Sequence, residues 1–305
     1  MTNKQKLMYQ LFAGFMIASM ALSGLAYFIG FGLTSDSNSD TSNGNDYSSQ
    51  QSQFPNPEIA IGFDEVGGNL IDADFNSISD ALKITPQGVV AAQFTNVEKS
   101  IGTPLQSAAS QGLPPKELYN EDVGNSYAAR LDEGNVVYYN IIPSRSLNFG
   151  YIVDPNPYKG YNLLMREDGG RNVVGTPVIL TDPNTAYKIL DVINGDSGSA
   201  YADFASVLNY SSNEDIIAYI DANNSLASIF YSGFRMVADG HADASQATRT
   251  LIYQDISVNE SNKLDKLVNN KTDAFNITVE THGKESITVV ELMSDLNSLP
   301  TVDLG

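Results

Sequence analysis

Any chemistry in this chain has to come from carboxylates, tyrosines and two histidines, because its 305 residues include no cysteine. Thiol catalysis, iron–sulfur ligation and cysteine zinc sites are therefore excluded. Asp and Glu number 36 against 17 Lys and Arg, a formal charge of −19. So acidic a chain excludes nucleic acid as a partner, since phosphate backbones are bound through basic patches. His241 and His282 have neither H-x-x-x-H nor H-x-H spacing and make no metal pair; His241, between Asp239 and Asp243, reads as a solvated loop. Two triplets open like calcium loops. Asp36, Asn38 and Asp40 lack the required glycine and glutamate, having Thr41 and Tyr47 there, and Asp72, Asp74 and Asn76 read as a helix start. No glycine-rich loop follows a strand, so no cofactor is implied.

Gly195, Asp196, Ser197 and Gly198 resemble the segment around the nucleophile of chymotrypsin-like serine proteases. That chemistry needs a histidine base and a buried carboxylate. Both histidines lie downstream, where that fold does not place its base, so the string reads as a turn between a helix and a strand. No catalytic residue is nominated. The stronger candidate is a turn-rich loop from Asp154 to Tyr161 in a tyrosine-rich stretch. Tyr151, Tyr158 and Tyr161 there offer large contact areas with polar tips, the chemistry of partner binding. Packing against a sheet edge is the structural alternative.

The elements that position these residues begin with Leu7–Leu33, an uncharged apolar run preceded by Lys4 and Lys6. Its length suffices to cross a bilayer, and the lysines put the N-terminus in the cytoplasm and the rest outside. It exceeds the usual apolar core of a cleaved signal peptide, although Ala21 to Ser23 offers a small-x-small cleavage site. Small residues four apart, such as Gly14 and Ala18, allow homo-oligomer contacts within the membrane. Residues 34–57 are polar and low in complexity, a flexible stalk. The expected organisation is an anchor (1–33), a linker (34–57), a first α+β module with a strand meander (58–174) and a second module (175–305).

Both modules carry a repeat. Leu70–Val97 and Val178–Val207 share a strand, an Asn cap (Asn76, Asn184), a helix whose face at i, i+3, i+4 and i+7 is Ile78, Ala81, Leu82 and Thr85 or Ala186, Ile189, Leu190 and Ile193, and an alternating strand ending in Phe94 or Phe204. The second unit continues as a strand at 216–221, an amphipathic helix at 225–236 and a strand at 248–256. That completes β-α-β-β-α-β, the ferredoxin-like order, with antiparallel sheet. A helix at 261–268 and a hairpin about Gly283 close the chain. Between the repeats lies a meander at 126–131, 135–142, 146–153 and 161–166. Five glycosylation sequons start at Asn209, Asn223, Asn259, Asn270 and Asn276, which suits an exterior location. The sequence thus predicts a single-pass surface protein that binds or scaffolds a protein partner, the role of an accessory subunit of a membrane complex included; the alternative is an extracytoplasmic hydrolase using acidic residues, with or without calcium.

Overall fold

A computed structural model describes residues 60–111, 113–114, 116–222, 227–236, 246–269, 276–284 and 286–295. The expected anchor and stalk lie outside them. Among the described residues no helix is long and apolar enough to cross a membrane.

The described chain opens with β1 (Ile61–Gly62), a 3-10 turn at Phe63–Glu65, β2 (Ile71–Asp72), α1 (Ile78–Ile84) and β3 (Val89–Thr95). Short helices α2 (Val97–Ser100) and α3 (Gln106–Gln111) and a 3-10 turn at Lys116–Leu118 lead to β4 (Ser126–Leu131) and β5 (Val136–Asn140). Then come β6 (Ser146–Leu147), β7 (Ile152–Val153), β8 (Leu163–Met165), β9 (Arg171–Val173), β10 (Gly175–Thr176) and β11 (Val178–Thr181). Helices α4 (Pro183–Ile193) and α5 (Tyr201–Leu208) precede β12 (Ile217–Asp221), β13 (Ile229–Met236) and β14 (Gln246–Gln254). Helix α6 (Val258–Asn269) and the hairpin β15 (Asn276–His282) and β16 (Ile287–Asp295) end it. The fold is mixed α/β, with a large antiparallel sheet and few helices.

Among the described residues twelve strands form that sheet, in the order β15-β16-β14-β13-β12-β3-β4-β5-β11-β9-β8-β7. It runs across position 174/175, since β12 pairs with β3 and β11 lies between β5 and β9. Its register explains the core. Directly opposed residues share a face, so one row of side chains crosses the strands from Leu163 through Val173, Ile179, Tyr139, Tyr127 and Phe94 to Ala218. All seven are at most 2% exposed. Helices α1, α4 and α5 contribute Leu82, Leu190 and Phe204 to the same cluster. At its centre the Tyr127 and Tyr139 rings stack at 5.2 Å. Burial raises both hydroxyls well above their usual pKa. Thr85 Oγ1 lies 3.3 and 3.2 Å from them and donates to the Ala81 carbonyl at 2.7 Å, so buried polar groups find partners.

Another buried cluster joins α6, through Leu264, to Leu251, Val290 and Leu292 of β14 and β16. These alternate along their strands with Ile252 and Val289 of the main cluster, so they belong to the other sheet face. Beside it, Ala109 of α3 packs with Ile216, Ile217 and Phe234.

Three expectations need correction. Residues 225–236 do not form a helix: 229–236 is strand β13, whose alternation puts Tyr231 on the face covered by α1, α4 and α5 and Ser232 and Phe234 on the other. Residues 200–207 are not a strand, because Ala200, Phe204, Val207 and Leu208 are all buried at helical spacing in and beside α5. The second unit therefore runs β11-α4-α5-β12-β13-β14, not β-α-β-β-α-β. The caps also shift. Ser77 caps α1 by accepting from the Asp80 N–H at 3.2 Å, and Asp182 caps α4 by accepting from Asn184 and Thr185 at 3.0 and 3.1 Å. Asn76 and Asn184 lie beside these caps. What recurs is a strand followed by a capped helix with a fully buried leucine, Leu82 or Leu190.

Leu82→Ala and Leu190→Ala should each destabilise the protein by about 2–5 kcal/mol in denaturant titrations, as buried leucines do. Ser77→Ala and Asp182→Ala should each cost about 1 kcal/mol, and Asn184→Ala clearly less, because the cap side chains alone accept from first-turn N–H groups. Equal losses at Asn184 and Asp182 would contradict the revised caps.

Candidate functional site

The first constellation is the tyrosine loop. Tyr158 and Tyr161 exchange backbone hydrogen bonds of 3.0 and 2.9 Å around a two-residue turn. Lys159 and Gly160 adopt φ of 51° and 84°, left-handed values suited to such a turn. Asn69 clamps it from below: its N–H donates to the Gly160 carbonyl at 2.7 Å and its side-chain amide to the Lys159 carbonyl at 3.3 Å. Helix α4 clamps it from the side. The Tyr158 hydroxyl donates to Asp191 at 2.9 Å, and its ring lies 4.7 Å from Tyr187. The Lys159 ammonium meets Asp191 at 2.6 Å and also contacts Asp196. The hydrogen bond to Asp191 pushes the Tyr158 hydroxyl up, while Lys159 and Tyr158 hold the Asp191 carboxyl below its ordinary range. Immediately ahead of this clamp Pro155, Asn156 and Pro157 are exposed.

The other nominated tyrosines go elsewhere. Tyr161 is 8% exposed in the main core. Tyr151 packs edge-on to Phe149 at 6.0 Å, in a separate cluster with Leu147 and Phe63, and partial burial and then Glu65 push its hydroxyl up. Of the sequons, Asn209, Asn259 and Asn276 are exposed, at the end of α5, in α6 and at the start of the edge strand β15; Asn223 and Asn270 lie outside the described residues. Ser197 sits in an exposed turn, which joins two helices and not a helix and a strand. His241 lies outside the described residues, and the His282 ring is 4.4 Å from that of Tyr210. No group of three or more His, Cys, Asp or Glu able to hold a metal occurs among the described residues.

The second constellation was not foreseen. Asp215, just ahead of β12, is 3% exposed. Its carboxylate lies over Gly233 on β13, where an added Cβ would collide with it. A glycine inside a strand here serves close approach. Tyr231, two residues before Gly233, donates to Asp215 Oδ2, and Arg235, two residues after, places Nη1 3.8 Å from Oδ1. Arg235 also donates to Thr250 at 3.1 Å and to Glu291 at 2.9 Å. Burial raises the Asp215 pKa from 3.8 to about 6, against the lowering effects of Tyr231 and Arg235. In sequence, Asn213, Glu214 and Asp215 look like a polar loop and Gly233 lies in a stretch read as helix, so no local signal marks the cluster.

No protein-family model and no curated protein matches this sequence. A solved structure described as crystal form I of TP0453 is similar over 72% of this chain and 94% of that one, with 10% identity and a TM-score of 0.40. A likeness at that level carries no argument.

Gly160→Ala should destabilise the fold by about 1–2 kcal/mol, the penalty of a left-handed backbone on a residue with a Cβ, and should make the 154–161 loop sensitive to limited proteolysis. A variant as stable and as protease-resistant as the parent would remove the clamp. Asp215 sets a pH dependence whose sign follows from its raised folded pKa. Its contribution is present below the unfolded value of 3.8 and lost as pH rises through about 6. The fall is on the order of 2–3 kcal/mol, from a shift of about two units. Asp215→Asn should flatten stability over that window, measured by urea unfolding from pH 4 to 7; an unchanged slope would contradict the assignment.

Proposed function

We propose that this chain is a single-pass, membrane-anchored extracytoplasmic binding or scaffold protein. In this reading residues 7–33 are the anchor, 34–57 hold the folded part off the bilayer, and the Tyr158 loop engages a protein of the same membrane. The clamp on that loop is the observation that carries the reading. Two separate stretches, around Asn69 and along α4, fix Tyr158 and Lys159 while Pro155, Asn156 and Pro157 stay exposed. A loop already held in shape loses little entropy on binding, and binding residues concentrate on loops carried by rigid scaffolds. Lys4 and Lys6 ahead of an uncharged run support the orientation. The openings β2-α1 and β11-α4 are read as related units, the surviving part of the ferredoxin-like scheme; each is a short strand leading to a side-chain-capped helix.

The hydrolase reading draws on one specific observation, the raised pKa of Asp215. Exposure of only 3% keeps a substrate from that carboxylate, which favours binding over catalysis.

In native membranes, a photo-crosslinking amino acid at Asn156 should join the protein to a membrane partner. The same probe at Gly134, in the β4–β5 turn, should not, and Tyr158→Ala with Tyr187→Ala should abolish the Asn156 product. Equal crosslinking at the two positions, or a product indifferent to the double variant, would remove the Tyr158 loop from this role. Protease added outside intact cells should cut first within 34–57; protection until lysis would reverse the orientation.

A further inference from the structure

The polar cluster on β13 has a consequence beyond partner binding. We propose that Arg235 is a two-position latch set by the proton on Asp215: with Asp215 neutral the guanidinium holds Glu291 on β16, and with Asp215 ionised it moves onto the buried carboxylate and releases Glu291.

The geometry places Arg235 between two carboxylates of opposite character. Glu291 is half-buried and bonded to Nη2 at 2.9 Å, whereas Asp215 is 3% exposed and stands 3.8 Å from Nη1. Asp215 Oδ2 takes the Tyr231 hydroxyl and the Ser212 N–H also favours the ionised carboxyl, but Oδ1 is buried and accepts no hydrogen bond of normal geometry among the described residues. An ionised carboxylate with a bare buried oxygen is strained electrostatically. A shift of the guanidinium by about 1 Å would bring it to normal N–H···O distance. The neutral acid needs no such shift, and the observed Arg235–Glu291 pair fits that state.

The surroundings leave Arg235 as the group able to respond. Tyr231 on β13 is bonded to Oδ2, and burial followed by the Asp215 charge keeps its hydroxyl well above its usual pKa. Lys99, on α2, attracts Asp215 from a distance but is bonded to Glu214 at 2.8 Å and to the Asn213 carbonyl at 3.0 Å. Strand β14 contributes neutral Thr248 and Thr250 opposite Arg235 and Gly233, and β12 contributes Ala218. Glu280 and His282, on the outermost strand, stand 3.8 Å from each other. With Asp215 titrating near pH 6, the latch operates in mildly acidic surroundings. Its output is an acidic side chain freed on the sheet face of the edge hairpin, and a weaker tie between β13 and β16.

Carboxyl carbon NMR of the full chain in detergent, from pH 4 to 8, tests this. Asp215 should titrate near pH 6, and the Glu291 signal should show an inflection at the Asp215 midpoint. That inflection should be absent in Asp215→Asn. Because Asp215→Asn is a buried change, Glu291→Gln at a half-exposed position provides the independent arm. With its competitor gone, Arg235 should serve Asp215, lowering the Asp215 midpoint by roughly half a unit, the scale of a surface-pair coupling. The drop should persist at 0.5 M salt, which screens simple repulsion. A Glu291 signal blind to Asp215, an inflection that survives in Asp215→Asn, or a midpoint unmoved by Glu291→Gln at high salt would overturn the latch.

Discussion

Burial of one cross-strand row organises the molecule. From Leu163 to Ala218 the row occupies a single sheet face, and it can leave water only if helices cover it. The cover is assembled from distant parts of the chain: α1 precedes the meander, while α4 and α5 follow it. Neither the sheet nor the helical layer is complete without residues from both sides of position 174/175. The stacked Tyr127 and Tyr139 rings sit at the middle, and their hydroxyls share Thr85 at the end of α1. A buried hydroxyl accepts few positions, so this contact fixes where α1 lies as well as holding it there.

The same row explains where polar chemistry collects. Beyond Ala218 it continues through Gly233, Thr250 and Glu291 to Thr278, and the side chains turn polar. One register farther along the strands, Tyr231, Ile252 and Val289 still join the main cluster, which includes Phe204 of α5. Asp215 and Arg235 therefore stand where the buried face turns from apolar to polar, so that a carboxylate is desolvated yet a cation remains in reach. The tyrosine loop occupies a comparable boundary at the other end. Tyr161 enters the core, while Tyr158 lies at the surface against α4.

Much of the fold was legible because its signals are local. Strand β4 coincides with the expected Ser126–Leu131, and β12, β14, α6 and the last hairpin fall within a few residues of expectation. Failure came where two periods compete. Ala200, Ala202 and Phe204 alternate like a strand, yet Ala200, Phe204, Val207 and Leu208 also make a helical stripe, and tertiary burial chose the helix. In β13 both faces are packed, which erased the alternation that marks a half-exposed strand. The tyrosine loop could be nominated from its composition. The Asp215 cluster could not, since Asp215, Arg235, Thr250 and Glu291 meet only through a register spanning β12, β13, β14 and β16.

The claim that one row binds the whole sheet into a single core is tested most directly by native-state amide hydrogen exchange in increasing denaturant. Amides of β5, β11, β3 and β14 should converge on one global opening free energy, because each of these strands contributes to the same buried cluster. Two distinct isotherms, one for β5 and β11 and another for β12 to β14, would mean that the halves open separately and would contradict the account.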